Sequence, residues 1–368
     1  MSPGIWKWAG RLGDVPPERS RFTLGEGDTP LVPSRRIGPA MGLTNLYFKL
    51  ESSNPTGSYK DRFAVAAVSH LLDRGIANCL ATSSGNTGAA LAAACAVAGI
   101  PLHLAIVEPA PDDKLRQMLA YGAKLSRLRG FGLDPTASAE IFAGLRRLSQ
   151  KPGWSLEVSA YAISPDGMRG VETIAHELDE QLDSRIDHVF APAGGGGLCL
   201  AVARGLDHCQ GAPAIHCVQP AGNDTIAGPL REGRNHGRRA DPCTTTISGL
   251  QVPNVLDANA VIAACRASGG NGHLVPDAAI YELQGRLARE EGIFSEPAGA
   301  VALAGALQAV ANGEIDRDAR IVCLVTGSGF KDGASLAKMA DVAGVPLVGF
   351  AEFEGSLAQG SSSSRSPR

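Results

Sequence analysis

Apolar residues along this chain follow two spacings, and the alternation between them predicts alternating helices and strands. Between residues 61 and 74 they recur every three or four positions, which is the spacing of one helix face. The short, mostly apolar stretch 79–82 precedes a glycine-containing turn and predicts a strand. Further strands are predicted at 46–50, 102–107, 124–128, 156–159, 188–192, 215–219 and 320–326. Further helices are predicted at 87–98, 112–121, 136–148, 170–182, 198–208, 257–266, 276–291, 299–310 and 333–343.

This alternation predicts an α/β fold with open, mainly parallel sheets that helices cover on both faces. The series is too long for one simple sheet, so we expect two lobes around a cleft. We assign residues 1–55 and 158–350 to a large lobe and residues 56–157 to a small, mobile lobe. The segment 355–368, which ends in a Ser-rich run, is predicted to be a disordered tail.

Composition narrows the class of protein. The 368 residues carry a formal net charge of −3, so no overall positive field attracts nucleic acid or an anionic membrane. The longest apolar stretch, 89–107, is interrupted by Gly99, Pro101 and His103 and predicts helix, turn and strand, not a membrane span. None of the eight cysteines forms a Cys-x-x-Cys pair. This favours reduced thiols in a cytoplasmic protein over a disulfide framework or a zinc site.

The first motif that carries chemistry is residues 54–62, Asn-Pro-Thr-Gly-Ser-Tyr-Lys-Asp-Arg. Its first four residues break regular structure, and an amphipathic helix follows, so Lys60 falls in the first helical turn. The positive end of the helix dipole and the apolar flank both disfavour an ammonium there. A partly neutral amine is a nucleophile toward carbonyls, including the aldehyde of pyridoxal phosphate. The alternative is an ordinary surface lysine.

The second motif is residues 82–88, Thr-Ser-Ser-Gly-Asn-Thr-Gly, between a strand end and a helix start. Its unpaired N–H groups and hydroxyls are suited to an anion such as an amino-acid carboxylate. The alternative is an ordinary helix N-cap, because Ser and Asn are favoured at that position in any case.

The third motif is the run of four glycines at 194–197, again between a strand and a helix. Backbone amides at a helix N-terminus suit a phosphate dianion, and the run lacks the features of a Walker loop or a dinucleotide site. The alternative is a flexible linker. The fourth motif, Thr-Gly-Ser-Gly-Phe-Lys-Asp at 326–332, places a hydroxyl at the carboxyl end of a buried strand, where open α/β sheets bind ligands. The alternative there is a turn hydroxyl.

In this order, and with Ser-Glu-Pro-Ala-Gly-Ala at 295–300, these motifs resemble the pyridoxal-phosphate enzymes of fold type II, the tryptophan-synthase-β-like group. The stretches 25–31 and 291–294 are most similar to the threonine synthases within that group. The resemblance covers about residues 22–343. It implies pyridoxal 5'-phosphate in a cleft between two α/β lobes, a small amino-acid substrate and a homodimer.

The resemblance also implies roles for individual residues. Lys60 forms the Schiff base with the cofactor and then moves the substrate's α-proton. Asn86 binds the cofactor's phenolate oxygen, the glycine run holds its phosphate, and Thr326 faces its pyridine nitrogen. The residues implied for cofactor binding are Lys60, Asn86, Gly194, Gly195, Gly196, Gly197, Leu198 and Thr326. The residues implied for substrate binding are Ser83, Ser84 and Thr87, with Arg169 as a candidate.

The chain departs from the threonine synthases where the substrate is selected. Those enzymes carry Asn-Ser-x-Asn-Pro-x-Arg, whereas residues 161–167 of this chain read Tyr-Ala-Ile-Ser-Pro-Asp-Gly. Gly167 therefore replaces an arginine that would bind a phosphate through two hydrogen bonds. Arg169, two residues further on, is the candidate substitute, and Lys331 is another cation to test for phosphate contact.

Two enzyme activities follow as hypotheses. The first is a lyase that converts O-phosphohomoserine and water to threonine and phosphate. The alternative is a serine/threonine dehydratase, or a β-replacement synthase that acts on an activated serine. A third hypothesis, a binding protein without catalytic activity, is disfavoured because Lys60 and Thr326 are both present.

Overall fold

The computed structural model describes residues 3–182, 185–209, 211–340 and 345–360, and within them two sheets. The larger sheet has the strand order β1-β2-β10-β7-β8-β9 and the smaller one β5-β4-β3-β6. Every neighbouring pair is parallel except β1 and β2. The strands are β1 Leu31–Pro33, β2 Leu46–Leu50, β3 Asn78–Ala81, β4 Leu102–Val107, β5 Lys124–Leu128, β6 Trp154–Leu156, β7 His188–Pro192, β8 Ala214–Pro220, β9 Gly272–Val275 and β10 Ile321–Val325.

Helices lie between the strands and cover the sheets. Strand β10 is buried at all five positions, which its continuous apolar sequence allows because parallel sheets are covered on both faces. The helices are α1 Ile37–Ala40, α2 Lys60–Asp73, α3 Asn86–Ala98, α4 Asp112–Ala120, α5 Pro135–Ser149, α6 Pro165–Gln181, α7 Gly197–Leu206, α8 Ala227–Arg231, α9 Ala258–Ala267, α10 Asp277–Arg286, α11 Pro297–Ala311, α12 Gly333–Met339 and α13 Phe350–Gly360. This confirms the predicted α/β fold with two mainly parallel sheets.

The sheets divide the chain in two parts. All four strands of the smaller sheet lie within residues 56–157, and the six strands of the larger sheet lie before and after that segment. That the small lobe is mobile stays a prediction. Of the predicted tail 355–368, residues 355–360 continue helix α13, and residues 361–368 lie outside the described residues. No helix in the described part of the chain is long and apolar enough to cross a membrane.

A buried ion-pair network fixes helix α2 to the larger lobe. The Arg62 guanidinium is fully buried and donates to Glu51 Oε2 at 2.8 Å and to Glu177 Oε1 at 2.6 Å. Glu177 also accepts from the buried Lys49 ammonium at 2.6 Å. An unpaired charge at such depth is strongly unfavourable, so these groups hold one another in place. Lys60, two residues before Arg62, therefore has a fixed position relative to the larger sheet.

Candidate active site

The site forms around Lys60, the first residue of helix α2, where the sequence predicted it. Its ammonium donates to Ser159 Oγ at 2.6 Å and lies 4.5 Å from the centre of the Tyr59 ring. Burial in the cleft lowers the pKa of Lys60 from 10.5 to about 7, against the opposite effect of the carboxylates of Glu296 and Asp257. The amine therefore exchanges protons readily near neutral pH.

The motif at 82–88 lies beside this lysine and opens helix α3. Thr87 Oγ1 lies 3.0 Å from Ser159 Oγ, so a chain of hydroxyls joins the start of α3 to the Lys60 amine. Ser83 and Ser84 are half-buried in the preceding loop, and Ser83 Oγ accepts from the Gly85 N–H at 3.1 Å. The N-cap residue Gly85 supplies no side-chain bond to the first turn of α3. This helix N-terminus can therefore bind an anion such as a carboxylate.

Asn86 reaches across the cleft to the larger lobe. Its amide donates to both carboxylate oxygens of Glu296, at 3.0 and 3.1 Å. Burial raises the pKa of Glu296 to about 7, although the bond from Asn86 and the nearby Lys331 ammonium oppose the rise. Glu296 belongs to the motif at 295–300, but its role could not be predicted from the sequence.

The glycine run forms a tightly enclosed bend between β7 and α7. Gly196 has φ +98°, a conformation that favours glycine, and a Cβ atom there would lie 2.8 Å from Val261. A Cβ on Gly197 would lie 3.0 Å from the Ser159 carbonyl oxygen. Leu198 is buried in the first turn of α7. Gly194 and Gly195 precede this turn and pack against residues 249–256. The N-cap residue of α7 is Gly196, and like Gly85 at α3 it makes no side-chain hydrogen bond to the N–H groups of the first helical turn.

Thr326 directly follows strand β10 and is buried. Its hydroxyl oxygen is buried and has no hydrogen-bond partner within the described chain, as is true of Ser58 Oγ and Ser295 Oγ nearby. The Thr326 carbonyl accepts from the Tyr59 N–H at 3.1 Å, which places Thr326 beside the residue that precedes Lys60. A buried hydroxyl of this kind can pair with a ring nitrogen.

Arg169 is placed elsewhere. It lies in the second turn of α6, where it donates to Asp166 Oδ1 at 3.1 Å and to the Asp14 carbonyl at 3.4 Å. Helix α6 instead turns Met168 toward the glycine bend. The structure brings together Lys60, Asn86, Thr87, Gly197 and Thr326, but it does not bring Arg169 to them.

Two other ammonium groups lie in the cleft between the lobes. Lys331 Nζ donates to Gln117 Oε1 at 2.5 Å, and burial lowers the pKa of Lys331. Lys114 Nζ donates to Ser248 Oγ at 2.5 Å and pairs with Asp332 at 3.2 Å. Lys114 and Gln117 belong to α4 of the smaller lobe, and their partners belong to the larger one, so these bonds cross the cleft.

Asp257 is a further acidic residue of the site, close enough to Lys60 to affect its pKa. Its carboxylate accepts from the N–H groups of Tyr161 and Ala162 at 2.9 and 3.1 Å. Sequence reasoning missed Asp257, Ser159, Lys114 and Gln117 as members of the site. Asp257 begins a predicted helix and Ser159 ends a predicted strand, but neither position by itself points to a shared cleft.

These residues fit pyridoxal phosphate on structural grounds. The fold provides a lysine amine of lowered pKa, a glycine bend at a helix N-terminus and a buried hydroxyl that lacks a partner. The first suits an aldehyde, the second a phosphate dianion and the third a heteroaromatic nitrogen.

Comparisons with known proteins agree with this fit. A family model described as pyridoxal-phosphate dependent enzyme matches residues 22–327. The chain is 34% identical to threonine synthase from Methanosarcina acetivorans, over 90% of this chain and 80% of that protein. It is 32% identical to threonine synthase from Methanocaldococcus jannaschii, over 89% and 81%.

Solved structures give the same result for the fold. Threonine deaminase isoform 2 from Solanum lycopersicum, in its processed form, aligns with a TM-score of 0.72 and 25% identity over 86% of this chain and 84% of that chain. O-ureido-L-serine synthase aligns with a TM-score of 0.70 at 22% identity, over 90% and 96%, and supports the fold alone. The expected fold type and cofactor are thereby confirmed, and the chain belongs to the pyridoxal-phosphate dependent enzyme family.

Proposed function

We propose that this enzyme is a lyase that converts O-phosphohomoserine and water to threonine and phosphate. The observation that carries this substrate is the similarity, over about nine-tenths of the chain, to proteins named threonine synthase. The cleft supports it with two ammonium groups, Lys114 and Lys331, in addition to Lys60. A phosphorylated amino acid requires such cations, because its phosphate carries close to two negative charges at neutral pH.

Different side chains have different roles in the proposed reaction. Pyridoxal phosphate, when bound at Lys60, supplies an electron sink that makes the substrate's α-hydrogen acidic. Lys60 accepts and returns protons at carbon, because its pKa of about 7 leaves much of the amine neutral at neutral pH. The N-terminus of α3, with Ser83, Ser84 and Thr87, binds the substrate carboxylate.

The cations of the cleft act on the leaving group. Lys114 and Lys331 bind the substrate phosphate and stabilise it as it departs with the electron pair of the Cγ–O bond. For this departure Lys60 also takes a proton from Cβ, and a proton is then added at Cγ. A water molecule supplies the hydroxyl at Cβ, and its other proton goes to the released phosphate, so one phosphate is released for each threonine formed.

A substrate panel tests this proposal. The purified enzyme is incubated with O-phosphohomoserine, homoserine, O-phosphoserine, serine and threonine, and phosphate, keto acids and amino acids are measured together. Equal amounts of phosphate and threonine from O-phosphohomoserine are expected. The Lys60→Ala variant serves as the blank, and borohydride reduction with peptide mass spectrometry should place the cofactor on Lys60 in the wild type. Absence of threonine from O-phosphohomoserine contradicts the proposal.

One observation favours the alternative, a dehydratase or β-replacement enzyme. The loop before α6 is fixed by the Asp257 carboxylate, Gly167 stands in the first turn of α6 in place of the expected arginine, and Arg169 points to other partners. A substrate phosphate on that side of Lys60 would be repelled by Asp257. Keto acid released from serine or threonine indicates the dehydratase, and a new amino acid formed only with an added nucleophile indicates the synthase.

We also propose that the enzyme is a cytoplasmic homodimer. All eight cysteines are free, in agreement with a reducing compartment. Cell fractionation with light scattering on the purified protein tests both statements, and a monomeric mass at all concentrations contradicts the dimer.

A further inference from the structure

Gln219 is a fully buried amide at the carboxyl end of β8, directly below the glycine bend. Its Nε2 donates to the carbonyl oxygens of Ala193 and Gly194 at 3.3 and 3.2 Å, and to Thr225 Oγ1 at 2.9 Å. Its Oε1 accepts from three consecutive N–H groups, those of Thr225, Ile226 and Ala227, at 3.2, 2.7 and 2.9 Å. One side chain therefore joins the glycine bend to the start of α8.

The chemistry of these contacts requires an amide. The bend offers two carbonyl acceptors, and the start of α8 offers three donors, so the side chain between them must donate at one end and accept at the other. A carboxylate satisfies only the donors and places a negative charge against the two carbonyls. An aliphatic side chain leaves all these buried groups without partners.

The two contacts to the bend also set its orientation. In a planar trans peptide the carbonyl oxygen and the following N–H point in opposite directions. With the carbonyls of Ala193 and Gly194 turned toward Gln219, the N–H groups of Gly194 and Gly195 point away from it. This is the arrangement that a phosphate above the bend needs, together with the N-terminus of α7.

We propose that Gln219 is a positioning residue for the phosphate of pyridoxal phosphate, and that the site depends on its neutral amide. The proposal rests on the placement of that phosphate at the glycine bend and is independent of the amino-acid substrate. Gln219 acts through the backbone of the bend and makes no contact with the reacting atoms.

The test compares two forms of the vitamin that differ only in the phosphate. Full-length wild-type protein and the Gln219→Glu variant, both stripped of cofactor, are titrated with pyridoxal 5'-phosphate and with pyridoxal. The variant should bind pyridoxal 5'-phosphate about 10- to 100-fold more weakly, because it loses the donors and gains a charge near the phosphate. Its affinity for pyridoxal should stay within about 2-fold of wild type, since that ligand does not use the bend.

Two further variants keep the result interpretable. Gln308→Glu makes the same change in a partly buried amide that donates to the Leu274 carbonyl at 3.1 Å, on the far face of β9, and should leave both affinities unchanged. Gln219→Met removes the donors without adding charge and should weaken only pyridoxal 5'-phosphate, by about 10-fold. It replaces the glutamate variant if that protein does not fold. Equal weakening of both ligands, or no weakening, overturns the proposal, and neither result bears on O-phosphohomoserine.

Discussion

Two regions of the cleft, the glycine bend and the pair of lysines Lys114 and Lys331, present different kinds of groups to a ligand. At the glycine bend the groups that face the ligand are backbone amides, and they are held from behind by the neutral Gln219 and by apolar contacts such as Val261 with Gly196. Elsewhere in the cleft, Lys114 and Lys331 are charged side chains whose partners lie in the other lobe.

The difference matches two kinds of recognition. A cofactor is the same in every turnover, so a backbone site with one fixed shape is sufficient. A substrate must enter, react and leave, and side chains that bond across the cleft can exchange those bonds for bonds to a ligand. We therefore expect changes at the bend to affect cofactor affinity, and changes at the lysines to affect substrate affinity.

The largest effect is expected when the shape of the bend is changed. Gly196→Ala adds a Cβ at φ +98° and within 2.8 Å of Val261, so both the backbone and the packing oppose it. Pyridoxal 5'-phosphate should bind about 100-fold more weakly, measured by titration of the stripped protein.

The matched control for that change is Gly269→Ala. Gly269 has φ +78°, and nothing lies within 4 Å of an added Cβ, so this variant has backbone strain without the close contact and lies away from the bend. It should lower thermal stability a little and leave cofactor affinity as in wild type. Similar cofactor affinities in the two variants would show that the bend does not hold the phosphate.

The next largest effect is expected when one of the two lysines, Lys114 or Lys331, loses its charge. Lys114→Met and Lys331→Met keep the length of the side chain and remove the ammonium, so each should raise the KM for O-phosphohomoserine by about 10- to 100-fold. The affinity for pyridoxal 5'-phosphate should not change. Lys338→Met, which changes an exposed lysine of α12, is the control. Weaker binding of pyridoxal 5'-phosphate with an unchanged KM would contradict the assignment of the bend to the cofactor and of the lysines to the substrate.

The difference between the bend and the side chains that bond across the cleft also explains which site residues could be predicted from the sequence. Glycines in a row and a lysine after a turn constrain the backbone locally, so the bend and Lys60 could be located from their neighbours in the chain. Ser159 and Lys114 act through partners far away in sequence, as Gln219 does in its bonds to the bend, and no local pattern distinguishes these residues. Strand β9 (Gly272–Val275) and helix α8 (Ala227–Arg231) were not predicted for the same reason. They are only four and five residues long, and their burial between other elements decides their structure.

A pH profile tests Lys60, which belongs to neither the bend nor the pair Lys114 and Lys331. The amine is protonated below its pKa of about 7 and neutral above it, so capture of pyridoxal by the stripped protein should become about tenfold faster from pH 6 to pH 8. Pyridoxal is used because it has no phosphate that titrates in this range. Glu296→Gln removes a carboxylate that raises the pKa of Lys60, so its profile should move to lower pH. A flat profile, or an unmoved one in that variant, contradicts this account.

The smallest effect concerns Ser159, whose hydroxyl accepts from Lys60 and whose carbonyl oxygen lies beside Gly197 of the bend. Ser159→Ala removes one hydrogen bond to the Lys60 amine and interrupts the hydroxyl chain to Thr87, but leaves the backbone in place. Turnover should fall about 3- to 10-fold, the value of a single hydrogen bond, with cofactor affinity unchanged. Ser155→Ala, which removes a hydroxyl that bonds to Glu157 at 2.8 Å in the preceding strand, is the control and should keep full turnover. A loss beyond about 100-fold would mean that Ser159 itself transfers a proton, because a positioning bond of this kind does not contribute so much.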